Sequence, residues 1–169
     1  SIDMSDVRFA GDLVRKSVAA FSSSDRESYR ALVDYIWDQY GSSIYQFLFF
    51  LSANTSQSDT LSFKGIQKDP KLLLLSIVIT LLSLDTPPLS RIREFISNPI
   101  LEALSENETI FLCRMLYRAG LFREVCIFLI ADREAFGYAE CIELFFQSLT
   151  CIDDVSMQEF FDEGLDAIS

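Results

Sequence analysis

Between Pro70 and the Pro87-Pro88 pair runs LLLLSIVITLLSL, residues 72–84, thirteen residues without a charge. Proline is tolerated in the first turn of a helix but not in its interior, so this pattern predicts one helix over residues 70–84. At 1.5 Å per residue the run spans roughly 20 Å, short of the ~30 Å hydrocarbon core of a bilayer. No membrane span is expected. A helix that is apolar on every side must instead be surrounded by other helices, which predicts a core built around residues 70–84.

Size and composition set the frame around that helix. With 169 residues, 50% of them apolar and 23% charged, the chain is expected to be a single all-α domain, 1–169, too apolar to be disordered. There are 25 acids against 14 bases, a formal charge of −11 and a pI near 4.3. That balance, with no dense Lys/Arg stripe, excludes nucleic acid as a direct partner. The charge is also uneven: no basic residue follows Arg133, while nine acids lie between Glu134 and Asp166. Two readings stand, a solvated face and a docking surface for a basic segment of another protein.

Catalytic chemistry finds little to work with. Histidine is absent, which removes His-containing zinc sites, Ser-His-Asp and Cys-His pairs and imidazole acid-base catalysis together. Cys113, Cys126, Cys141 and Cys151 form no C-x-x-C pair and sit among apolar residues, so they read as small buried hydrophobes in a reducing, intracellular compartment. The adjacent acids Asp153-Asp154 and Asp162-Glu163 diverge around a helix instead of facing one another. There is no Gly-x-Ser-x-Gly elbow and no phosphate-cradling glycine loop. No catalytic residue, no metal and no cofactor is expected. The first residues lack a basic stretch followed by an apolar one, so no leader is expected either. Asn54-Thr55-Ser56 and Asn107-Glu108-Thr109 match the glycosylation pattern, which matters only in a secreted chain.

Helical punctuation recurs along the chain. Val7, Ala10, Val14, Val18 and Phe21 predict an amphipathic helix over 5–22. Ser24-Asp25-Arg26-Glu27 fits a capping box that opens a second helix, carrying Tyr29, Leu32, Ile36, Trp37 and Tyr40 and ending at Gly41. A third, 43–52, is nearly all apolar. Residues 53–69 are polar and without period and are expected to form a flexible loop, with Asp69 capping the central helix. Further on, Leu89, Ile92, Phe95 and Ile96 mark a short helix, and Asn98-Pro99 starts another turn. Ser105 and Glu108 form a second capping box before a helix ending at Gly120. Apolar series then define helices at 121–131, at Tyr138–Leu149 and at Met157–Ile168. The fold class is all-α, with about eight to nine helices in an irregular bundle or a short helical-repeat-like stack.

Two segments resemble known families. The hairpin from Leu112 to Ala131 resembles a tetratricopeptide helix-turn-helix unit, with Leu112, Tyr117, Gly120, Phe122 and Leu129 near that family's packing positions. Val125 stands where its small Ala is usual, and only one copy is visible. Val7-Arg8-Phe9-Ala10-Gly11-Asp12 resembles the short hydrophobic-x-x-x-Gly-Asp segment of the apoptosis-regulator family, although Val7 replaces the usual Leu and the Asn-Trp-Gly-Arg signature is missing. That resemblance implies an all-α bundle binding an amphipathic death-motif helix in a groove, with Gly11 permitting close helix packing and Asp12 pairing with an arginine.

The expected function is therefore non-enzymatic: a helical scaffold or adaptor subunit of a larger complex that offers a hydrophobic groove to a helix or peptide of another protein, plausibly a basic one. The candidate partner-binding residues are Phe47 and Phe50 in the third helix and Phe160, Phe161, Asp162 and Glu163 in the last. An apoptosis-regulator-like bundle and a self-associating structural domain, a homodimer, are the alternatives.

Overall fold

The computed structural model describes residues 4–19, 21–52, 68–83 and 89–168. Among them are nine α-helices and no strand, so the all-α expectation holds. Most of the predicted loop, residues 53–67, lies outside the described residues, as does the Asn54 glycosylation pattern. Contacts cluster in two compact units, Ser1–Pro88 and Leu89–Ser169.

The first unit contains α1 (Met4–Ala19), α2 (Ser23–Tyr40), α3 (Ser43–Ser52) and α4 (Pro70–Ser83). The central helix is α4: every residue from Leu72 to Thr80 is buried, and α1, α2 and α3 all pack on it. Its seven buried aliphatic side chains contribute about 1.5–3 kcal/mol each, before chain entropy is set against them. The two hydroxyls in this apolar stretch are satisfied within the helix. Ser76 donates to the Leu72 carbonyl at 2.8 Å and Thr80 to the Ser76 carbonyl at 2.7 Å. Asp69 caps α4 as expected, its Oδ1 accepting from the N–H groups of Lys71 (2.9 Å) and Leu72 (3.3 Å). The other oxygen, Oδ2, accepts from the Tyr40 hydroxyl at 2.8 Å, which ties the start of α4 to the end of α2.

Two helix boundaries differ from the sequence expectation. The first helix ends at Ala19, and Phe21 instead buries its ring in the turn, tilted against Tyr29 with centroids 5.1 Å apart. The second begins two residues earlier than the Ser24 box, with Ser22 at the cap. Three successive serines offer the same cap. Asp25 favours Ser22, because its carboxylate lies buried in the first turn, where helix N–H groups favour negative charge, and accepts from the Ser22 hydroxyl at 2.7 Å. Gly41 closes α2 at φ +59°, as expected.

The second unit contains α5 (Leu89–Ile96), a 3-10 turn at Pro99–Ala103 capped by Asn98, α6 (Glu106–Arg118), α7 (Phe122–Ala131), a 3-10 turn at Ala135–Gly137, α8 (Ala139–Leu149) and α9 (Asp154–Ile168). The Ser105 capping box forms in full: Ser105 Oγ accepts from the Glu108 N–H at 3.3 Å, and Glu108 Oε1 accepts from the Ser105 N–H at 2.9 Å. With Glu108 in that box and Thr109 buried, the second glycosylation pattern is built into a helix start. α6 ends in a Schellman motif. Gly120, at φ +77°, donates to the Tyr117 carbonyl, and Leu121 donates to the Leu116 carbonyl, both at 3.0 Å. α7 and α8 pack most extensively, with α6 against both.

Candidate interaction surface

The last helix is where this unit meets solvent most openly. Asp153 caps α9, accepting from the Ser156 N–H at 3.1 Å, and its carboxylate also pairs with Arg123 of α7. That N–H first, and the guanidinium after it, hold the Asp153 carboxyl below the usual range. Along α9 itself a single residue is buried, Gly164, which faces the Phe145 ring of α8. A helix seated on a glycine comes close along one line and leaves its flanks open.

One of those flanks is apolar. Phe161, Leu165 and Ile168 are 38%, 47% and 49% exposed. At about 100° per residue, the spacings of four and three place them on one stripe roughly 60° wide. Asp162 and Asp166 adjoin this stripe about 100–140° round from Phe161, with Glu159 and Glu163 beyond them. The stripe is anchored at its N-terminal end. The Phe161 ring meets Phe146 edge-on at 6.2 Å, and Phe146, Phe145 and Phe136 continue the series at 5.4 Å and 4.8 Å into the core.

The six residues expected to bind a partner fall into different settings. Phe160, Phe161, Asp162 and Glu163 are consecutive on α9. Phe160 is half-buried one turn before Gly164, whereas Phe161, Asp162 and Glu163 are exposed. Asp162 Oδ1 accepts from the Gln158 amide at 3.0 Å. Phe47 is 2% exposed and packs within the first unit beside Ile36, Ile44 and Leu72. The space left there is ≈ 10 Å³, room for about one water and no side chain. Phe50 belongs to α3, and its side chain lies outside the described residues. Sequence reasoning did not single out Leu165 and Ile168 as exposed or Gly164 as the seat of the helix. Their spacing was visible, but which flank a neighbour covers depends on the crossing.

The two resembling segments also have a definite geometry. In the Leu112–Ala131 hairpin, Leu112 and Leu129 are fully buried, Gly120 makes the turn, and the Tyr117 and Phe122 rings meet edge-on at 5.3 Å. In α1, a Cβ placed on Gly11 would meet nothing within 4 Å among the described residues, so no close helix crossing is built there. Asp12 pairs with Arg15 of its own helix.

Three of the four thiols are buried, Cys113, Cys126 and Cys141, while Cys151, at the α8–α9 turn, is exposed and departs from the expected burial. Cys113 hydrogen-bonds Cys141, which pushes the Cys113 thiol well up and draws Cys141 down; burial pushes Cys126 up to about 12. Among the described residues, no group of three or more Cys, Asp or Glu side chains is placed to hold a metal ion. No helix there is long and apolar enough to cross a membrane. Compared with protein-family models, curated proteins and solved structures, the chain has no significant match.

Proposed function

We propose that this chain is a non-enzymatic interaction module whose α9 face binds a basic amphipathic helix of another protein. The observation that carries this reading is the exposed Phe161–Leu165–Ile168 stripe running beside Asp162 and Asp166, in a segment without one basic residue after Arg133. An apolar stripe flanked by acids complements a helix with an apolar face and lysines or arginines along its border. At about 25 cal/mol per Å², covering a few hundred Å² contributes on the order of 10 kcal/mol before ordering costs. The charges act chiefly on encounter rate and choice of partner.

Titration of the ¹⁵N-labelled chain with two synthetic helices tests this, one with leucines on one face and lysines on its borders, the other with glutamates in place of the lysines. The lysine form is expected to bind along α9 and to weaken with salt, and Leu165→Ser with Ile168→Ser to lower its affinity at least tenfold. Equal binding of both peptides, or indifference to the double substitution, would overturn the reading. A homodimer through the same stripe is the second reading, supported by its apolar character and opposed by the acids that each copy would bring to the interface. Light scattering that gives a dimer in the native chain and a monomer in the double variant would favour it.

A further inference from the structure

Glu124 is the least compensated charged residue described in the second unit. It lies in the first turn of α7, 3% exposed, although neighbouring charges on a helix end ordinarily face water. Its Oε1 has one cation within reach, the Arg93 guanidinium of α5, at 3.9 Å. Its Oε2 is buried and accepts no hydrogen bond. A buried carboxylate oxygen without a donor is costly, by about 1–3 kcal/mol or more for a charged group.

Glu124 lines a cleft of ≈ 410 Å³ whose walls are Leu121 and Phe122 on one side, Cys151, Ile152 and Asp153 on another, and Leu89 with Arg93 at the α5 side. Arg123 also lines it but is already engaged by Asp153. Arg93 is held loosely: 52% of its side chain is exposed, and displacing it breaks no close hydrogen bond to Glu124. The cleft therefore combines apolar walls with one buried acceptor that lacks a donor. A neutral apolar ligand would leave Oε2 as it is, and an anion would be repelled by Glu124 and Asp153.

We propose that this cleft takes a cationic N–H donor on a flexible alkyl stem, the side chain of a lysine or arginine, with the stem against Leu121, Phe122 and Ile152 and the head group donating to Glu124 Oε2. As a protein side chain the ligand rests on the basic partner proposed above, and it gives that partner an anchor point separate from the α9 stripe. The chemistry of the cleft does not depend on the stripe.

Amide-shift titrations of the whole chain with n-butylammonium chloride and n-butylguanidinium chloride test it, with sodium chloride and n-butanol as controls; the two cations separate a lysine site from an arginine site. Saturable shifts centred on Leu121, Glu124 and Ile152 are expected with one or both cations and with neither control. Glu124→Gln is expected to weaken binding at least tenfold. Arg93→Ala, which keeps the carboxylate and removes its competing cation, is expected to tighten it. Shifts no larger than those in sodium chloride, unchanged binding in Glu124→Gln, or weaker binding in Arg93→Ala would each overturn the assignment. Small cations that bind while the lysine-bordered helix does not would refute the α9 reading alone; the reverse would refute the cleft alone.

Discussion

A Cβ placed on Gly164 would lie 2.5 Å from Cε1 of Phe145 and 2.7 Å from Cζ. The Phe145 ring is fully buried and fixed by edge-on contacts with Phe136 and Phe146, so it has no room to yield. The glycine is what lets α9 lie against α8. Gly164→Ala is expected to destabilise the chain by about 1–3 kcal/mol, read by urea unfolding, through overpacking at this contact. In Phe145→Leu, which shortens the ring, adding Gly164→Ala is expected to cost less than it does alone. Strict additivity would break the link between the two residues. Gly11→Ala is the contrasting case. With open space around its Cβ in the interior of α1, it is expected to stabilise by about 0.5–1 kcal/mol through helix propensity alone.

This pair of glycines shows what was legible in the sequence. Local signals translated well, because caps and turns depend on a few neighbouring residues. Asp69 before Pro70, the Ser105–Glu108 box and the turn at Gly120 all formed as the residues indicate. The buried central helix was legible for a similar reason, since a charge-free run has no face to give to water. The helix crossings were not. A glycine inside a helical pattern looks the same at a crossing and in open space, so the sequence drew attention to Gly11 while the close approach is at Gly164. Glu124 was missed likewise, because beside Arg123 at a helix start it reads as a solvated charge, and its burial depends on α5 arriving from elsewhere in the unit.

The Tyr40–Asp69 hydrogen bond makes an alkaline limit to stability. Burial, and then the hydrogen bond to Asp69 and its charge, push the Tyr40 phenol from 10.0 up to about 12. The folded state thus keeps a proton that the unfolded state releases first. The contribution is whole below pH 10 and is lost as pH rises through 12, where the slope of stability against pH is negative. Burial pushes Tyr29 up to about 12 in the same way and adds to the same window. Tyr40→Phe is expected to lose about 0.5–1.5 kcal/mol at neutral pH and to show a shallower decline between pH 10 and 12 than the native chain. A decline of unchanged steepness in unfolding midpoints across that range would assign the alkaline limit to other groups.

Thiol labelling separates the four cysteines. Cys151 is exposed, whereas Cys113, Cys126 and Cys141 are buried, and Cys113 and Cys126 have thiols pushed up, which leaves little thiolate to react. With a maleimide at neutral pH, one thiol is expected to react quickly. The other three should follow at the rate of opening, and all four should react at once in denaturant. Prompt labelling of Cys141, the thiol drawn down by Cys113, would show that α8 opens locally without global unfolding.

The stripe on α9 carries a prediction about stability as well as binding. Leu165 and Ile168 are about half exposed, so truncating either removes little surface that folding has taken from water. Leu165→Ser and Ile168→Ser are expected to change unfolding free energy by no more than about 0.5 kcal/mol each. Phe145→Ala, two turns into the packed face, is expected to cost about 3–5 kcal/mol. Thermal unfolding of the three variants checks this. A chain that gains nothing in its own stability from two large aliphatic side chains in a row on one helix face retains that surface for something other than its fold. Losses of 2 kcal/mol or more in the serine variants would instead make the stripe part of the chain's own packing and remove the physical ground for a docking face there.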